Sequence, residues 1–289
     1  MALLLTVIQL LAVWIIVPLG LGLIPDLPGR RWLSRAHPMG ALLATGGLLL
    51  PAGPVAAGLA AGYGAWCLGA AASGLVVLVR LGRSAPHAFA PVVALLSLPV
   101  AALGMVASLG GWELFGFELV MLTLTSVHFH FAGFAAALLS GLTTRAVPRW
   151  WTETACAAVL VSPALVGAAF FVSPSAQLPG VVTLSVGVVV LAIAALLAGH
   201  GGLRRISALA VLAPMLLAVW WTAGLAFDLP HLSLAWTAAT HGVLNAVGYA
   251  LCGLLGWYQA GAPTRGLGDI FSAITPKMSP KAEGLGAGG

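Results

Sequence analysis

Charged residues are scarce in this chain. Only 7% of its 289 residues are Asp, Glu, Lys or Arg, whereas 61% are hydrophobic. A soluble domain carries about a quarter charged residues, and a chain this poor in charge cannot cover itself with a hydrated surface. The composition therefore excludes a soluble globular protein and indicates a membrane protein.

Cysteine is also rare. The three cysteines, Cys67, Cys156 and Cys252, are far apart in the sequence and form no metal-ligand motif, so we expect reduced packing residues. The net charge of +5 comes from basic residues scattered singly or in pairs. Such residues are typical of the loops of a membrane protein, and we expect no nucleic-acid partner.

Apolar segments of about 20 residues recur along almost the whole length, as in helical membrane proteins. A transmembrane β-barrel would need shorter segments of alternating hydrophobicity. The sequence therefore predicts an all-α, polytopic transmembrane helical bundle of about nine spans. The predicted spans cover 2–24, 37–53, 55–79, 88–108, 113–141, 150–172, 181–199, 206–226 and 232–258.

The positions of the basic residues predict the orientation of the chain. All 12 Lys and Arg fall in alternate loops, at Arg30, Arg31, Arg35, Arg80, Arg83, Arg145, Arg149, Arg204, Arg205, Arg265, Lys277 and Lys281. Cytoplasmic loops carry an excess of such residues, so the N-terminus is expected outside and the C-terminus in the cytoplasm. We expect a multi-pass protein of the plasma membrane with a helical domain at 1–260 and a flexible cytoplasmic tail at 261–289.

Span five contains the most informative stretch, Thr125-Ser126-Val127-His128-Phe129-His130-Phe131. Ionisable groups at the depth of this stretch are costly and by default mark a functional site. Residues two apart do not face each other on a regular helix, so His128 and His130 are expected to meet different neighbours. Glu118 precedes His128 by about 15 Å along the axis, so water, substrate or another residue would have to lie between them.

Span nine carries a narrow polar stripe at mostly four-residue spacing, made of Ser233, Thr237, His241, Asn245, Gly248 and Cys252. Asn245 and His128 fall near the same depth, so the polar faces of spans five and nine are expected to share one cavity. The candidate catalytic residues are Glu118, His128, His130, His241 and Asn245. The candidate substrate-binding residues are Thr125, Ser126, Phe129, Thr237 and Tyr249. A purely structural alternative stays open, because a buried His or Asn can simply bridge two helices by a hydrogen bond.

Two words in these spans, His128-Phe129-His130-Phe131-Ala132-Gly133-Phe134 and Thr240-His241-Gly242-Val243-Leu244-Asn245, resemble the YndJ-like family of bacterial integral membrane proteins. The resemblance implies a multi-span helical protein with His128, His130, His241 and Asn245 as its signature residues. It implies no reaction.

Three functions fit these residues. The first is a cofactor-independent isomerase or cyclase of a lipophilic, isoprenoid-like or lipid substrate. In such an enzyme Glu118, kept protonated by burial, would act as the acid and a neutral histidine as the base, for example in epoxide opening or alkene protonation. The second is a haem or metal protein with histidine ligands. The third is a small-solute or proton-coupled transporter.

We favour the enzyme and expect neither a metal nor a cofactor. The expected partners are a lipophilic small molecule and membrane lipids, and the sequence leaves the oligomeric state open.

Overall fold

The computed structural model describes residues 1–82, 84–199 and 201–261, and these ranges contain long helices and no strand. In chain order the helices are α1 (Ala2–Leu23), α2 (Arg30–Leu49), α3 (Pro54–Leu81), α4 (Pro86–Gly110), α5 (Leu119–Ala146), α6 (Trp150–Ala169), α7 (Pro174–Leu197), α8 (Gly202–Phe227) and α9 (Leu234–Gln259). They confirm the all-α bundle. The predicted tail lies, beyond residue 261, outside the described residues.

Eight of these helices are long and apolar enough to cross a membrane, and α2 is the exception. It begins seven residues before the predicted span 37–53 and carries Arg30, Arg31 and Arg35 in its first turns. It nevertheless packs antiparallel along α3. A Cβ at Gly40 would lie 3.5 Å from the ring of Tyr63, and one at Gly47 would lie 2.7 Å from the carbonyl oxygen of Ala56.

Proline and glycine set several helix ends. Pro54 and Pro174 occupy the first turns of α3 and α7, where a missing N–H costs nothing. Gly111 follows α4 in the left-handed conformation that terminates helices. At the end of α1 the guanidinium of Arg30 donates to the carbonyl oxygens of Leu21 and Ile24, which lie in the last turn where the helix runs out of backbone donors.

Small residues bring α4 and α5 into close contact. A Cβ at Gly104 would lie 2.6 Å from the carbonyl oxygen of Leu122, and one at Gly133 would lie 2.6 Å from the hydroxyl oxygen of Ser97. Backbones that approach this closely gain van der Waals contact, which is what drives helix association in lipid. Helix α5 is thereby fixed in the middle of the bundle.

Three helices, α1, α5 and α9, contain π-helical turns that contact one another. The segments are Ala12–Ile16, Phe129–Ala135, Ala238–Gly242 and Leu244–Leu251. Where the π-helical segment of α5 begins, Nδ1 of His128 donates to Leu124 O and Nδ1 of His130 donates to Ser126 O.

The start of α5 corrects one expectation. The predicted span 113–141 begins instead at Leu119, because Gly111 and Gly116 adopt positive φ and interrupt the helix before it. Glu118 is an exposed residue with non-helical backbone at the head of α5. The prediction that Glu118 is desolvated within the apolar span is therefore wrong.

The bundle has two distinguishable ends. Every arginine that the structure describes lies at or near the end where α1, α3, α5 and α7 finish, which we call the arginine end. The other end, the far end, contains the loops 50–53, 111–118, 170–173 and 228–233. A hydrogen bond of 2.8 Å from Gly53 N to Leu109 O joins the α2–α3 turn to the end of α4.

The arrangement predicts which residues face outward across the membrane. In a chain whose three cysteines are replaced by alanine, Val172→Cys and Ala52→Cys at the far end should react with a membrane-impermeant maleimide in intact cells. Trp150→Cys at the arginine end should react only after permeabilisation, because positively charged loops stay in the cytoplasm. All three positions are exposed. Labelling of Ala52→Cys only after permeabilisation would show that α2 does not cross.

Candidate functional site

A cavity of about 470 Å³ lies in the far half of the bundle. Its wall comes from seven helices, all except α2 and α3, and from the loop 114–117. Most of the lining is Leu, Val, Phe, Ala and Gly. Polar side chains are confined to Thr125, His128, Gln177, Ser185, Trp221, Thr222, Thr237, His241, Asn245 and Tyr249.

The cavity brings α5 and α9 together through two histidines. The rings of His128 and His241 are nearly parallel, with an interplanar angle of 25° and centroids 6.2 Å apart. His128 lies nine residues after Leu119 and His241 seven residues after Leu234. At 1.5 Å per residue both rings are about 10–14 Å below the far ends of their helices. The two polar faces meet at one level.

Hydrogen bonds fix which nitrogen of each ring carries the proton. Nδ1 of His128 donates to Leu124 O at 3.0 Å, and Nδ1 of His241 donates to Pro214 O at 2.8 Å. Nε2 of His241 accepts from the amide of Asn245 at 3.0 Å. Nε2 of His128 has no hydrogen-bond partner among the described residues, and the ring of His128 lines the cavity.

His130 lies on the opposite side of α5, away from the cavity. It is fully buried, its Nδ1 donates to Ser126 O, and its Nε2 accepts from the hydroxyl of Tyr63 in α3 at 2.9 Å. Both ring nitrogens are therefore satisfied by protein groups. The expectation from helical spacing that His128 and His130 meet different neighbours agrees with this geometry. The expectation that His130 lines the same cavity as His128 does not.

The other candidates divide in the same way. Thr125, Phe129, Thr237 and Tyr249 line the cavity. Ser126 is fully buried beside α4 and does not line it, because the close approach of Gly104 covers that face of α5. Glu118 does not line it either, since it is an exposed residue that precedes the first turn of α5.

The polar stripe of α9 also differs from the predicted one. Thr237, His241, Asn245 and Tyr249 line the cavity at four-residue spacing, whereas Gly248 packs on Ala210 of α8. The π-helical turns of α9 hold more residues per turn than an α-helix, so the stripe follows the four-residue repeat as far as Tyr249.

Four phenylalanines form the far-end rim of the cavity, and the sequence reading missed this group. Phe115 and Phe117 of one loop make edge-to-face contacts with Phe171, and Phe117 makes another with Phe170. Phe115 has φ +59° and a 74% exposed side chain. The sequence does contain a signal for this rim, because each of two loops on one side of the membrane carries a pair of phenylalanines.

A family model described as YndJ-like protein matches residues 7–249 of the chain. This range includes every cavity residue except Leu5. No curated protein and no solved structure matches the chain.

The geometry predicts opposite roles for the two histidines of α5. Tyr63→Phe should lower the free energy of unfolding by about 0.6–1.7 kcal/mol, the range for an interhelical hydrogen bond in a membrane. It removes the partner of His130 and leaves a buried nitrogen unpaired. Thermal unfolding in detergent measures the loss. His128→Gln should unfold near the wild-type temperature, because the ring of His128 bonds only within its own helix, and a larger loss in His128→Gln would contradict the assignment.

Proposed function

We propose that this chain, which belongs to the YndJ-like family, is an intramembrane enzyme that moves a proton within a lipophilic substrate. The observation that carries the proposal is the unpaired Nε2 of His128, whose ring lines a cavity with mostly apolar walls. A neutral imidazole with one free lone pair can take a proton from a bound molecule and return it. We place the enzyme in the plasma membrane, surrounded by lipid.

In this proposal each polar group has one task. His128 is the base that takes the proton and the acid that returns it. Asn245 donates its amide to His241, which fixes that ring in one tautomer beside His128, and its carbonyl oxygen remains available to a substrate. His241 and Asn245 therefore position the reacting groups, whereas His128 exchanges the proton.

The position of Glu118 outside the cavity limits the kinds of reaction that the site can support. Protonating an isolated alkene or opening an epoxide needs a strong acid, and no carboxyl group is present among the described residues of the cavity wall. A single imidazole supports a milder reaction, in which a proton leaves an activated position and returns to another. Isomerisation by proton transfer is thus better supported than acid-initiated cyclisation.

A second candidate is a transition-metal or haem protein with His128 and His241 as ligands. It is favoured by one observation, because both rings donate Nδ1 to backbone carbonyls, which is how ligating histidines are usually oriented. Against it, the described residues contain no cluster of three or more His, Cys, Asp or Glu side chains. The absorption spectrum and metal content of the purified protein separate the two candidates.

Turnover should depend on His128. Membranes that contain the wild-type protein should convert at least one lipid of the host into an isomer of equal mass. In D2O part of the product should gain deuterium, because some of the protons that Nε2 takes from the substrate exchange with solvent before they return. His128→Ala should slow this conversion by about 10²–10⁴-fold, the usual contribution of a general acid–base. Liquid chromatography with mass spectrometry of lipid extracts measures both effects.

Glu118→Gln provides the matched control for this experiment. Because Glu118 is exposed and outside the cavity wall, its variant should convert the same lipid at the wild-type rate. Loss of turnover in Glu118→Gln, with His128→Ala still active at equal protein levels, would refute the assignment of His128.

A further inference from the structure

We infer that the cavity takes an uncharged lipophilic molecule with a hydroxyl group, such as an enol or a phenol, and that a long-chain alcohol binds there as an unreactive analogue. The inference rests on the proposed function for its site and names the class of ligand that this site binds. Three observations carry it: the absence of charge from the described cavity wall, the unpaired acceptor on His128, and the position of that acceptor along the cavity.

The wall excludes charged lipids. No Lys, Arg, Asp or Glu is found among the described residues that line the cavity. A phosphate or carboxylate in such a site would lose its water and gain no counter-ion, which is among the most costly transfers in protein chemistry. A neutral ligand pays no such cost, and the apolar side chains favour its hydrocarbon part.

The unpaired polar atoms specify the group that a ligand must carry. The hydroxyls of Thr125 and Thr222 are already satisfied, because they donate to the carbonyl oxygens of Met121 and Ala218. Among the described residues of the wall, Nε2 of His128 is an acceptor without a donor, and the hydroxyl oxygen of Thr237 is buried without a partner. A buried polar atom gains most from a partner of the opposite kind, so the ligand should bring an O–H donor to this nitrogen.

Because His128 lies deep in the cavity, the hydroxyl of the ligand is expected inside the helix bundle rather than at the hydrated membrane surface. The ring lies about 14 Å below the head of α5, with the rim of phenylalanines above it and Ala136, Val188 and Met215 below it. The apolar side chains above and below the ring suit a hydrocarbon chain that extends from the hydroxyl in either direction. Access from the far end passes the rim that Phe115 and Phe171 share.

Three matched probes test the inference: farnesol, farnesyl methyl ether and farnesoic acid. They share one hydrocarbon chain and differ in the donor and in the charge. Binding to the purified full-length protein is measured by isothermal titration calorimetry in one detergent at neutral pH. We expect farnesol to bind about tenfold more tightly than the ether, which cannot donate, and the carboxylate to bind more weakly still.

Two variants of the same position assign the preference to His128. His128→Phe keeps an aromatic ring without an acceptor and should bind alcohol and ether equally. His128→Gln keeps an acceptor oxygen and should retain part of the preference. Equal binding of alcohol and ether to the wild type, tighter binding of the carboxylate, or no binding of farnesol would each overturn the inference.

The outcome is separable from that of the proposed function. Selective binding of the alcohol without deuterium incorporation into any lipid would leave this inference standing and refute the enzyme, in favour of a carrier. Isomerisation that depends on His128, together with equal binding of alcohol and ether, would support the enzyme and refute the inference about the ligand.

Discussion

The hydrogen bonds of three imidazole groups inside the bundle govern this structure. Each of the three histidines in α5 and α9 donates Nδ1 to a backbone carbonyl, to Leu124 O, Ser126 O or Pro214 O. One nitrogen then remains on each ring, because a neutral imidazole has one donor and one acceptor. Tyr63 satisfies that of His130 and Asn245 that of His241, so among these three rings only His128 keeps a nitrogen without a partner in the described part of the chain.

The sequence was sufficient for the class and the order of helices, because membrane spans are long and uniformly apolar. Eight of the nine predicted spans correspond to helices that meet these criteria. The ends were less predictable. Hydropathy does not register the glycines that interrupt the chain before Leu119, so Glu118 was placed inside a helix that begins after it. In the same way, α2 extends back over three arginines because tertiary contacts with α3, rather than its own apolarity, hold it in place.

The sequence was enough to predict which two helices form the candidate site and that His128 and His130 lie on different faces of α5. The spacing of His128 and His130 required them to diverge, and the stripe on α9 indicated a polar partner. Which histidine would face the cavity could not be derived, since the answer depends on Tyr63, which is 67 residues from His130 in the chain. Ser126 was misplaced for a related reason, because the close approach of Gly104 buries that face of α5.

The low polarity of the cavity also bears on the outcome of the proposed reaction. When Nε2 of His128 takes a proton, an imidazolium and an anionic substrate are created together, in a wall whose described residues supply no counter-charge. Opposite charges a few ångströms apart attract far more strongly in such surroundings than in water. The anion therefore stays beside the imidazolium and is quenched by the return of the proton, at the same atom or at another. A site built in this way favours rearrangement of a neutral molecule and disfavours release of a charged product.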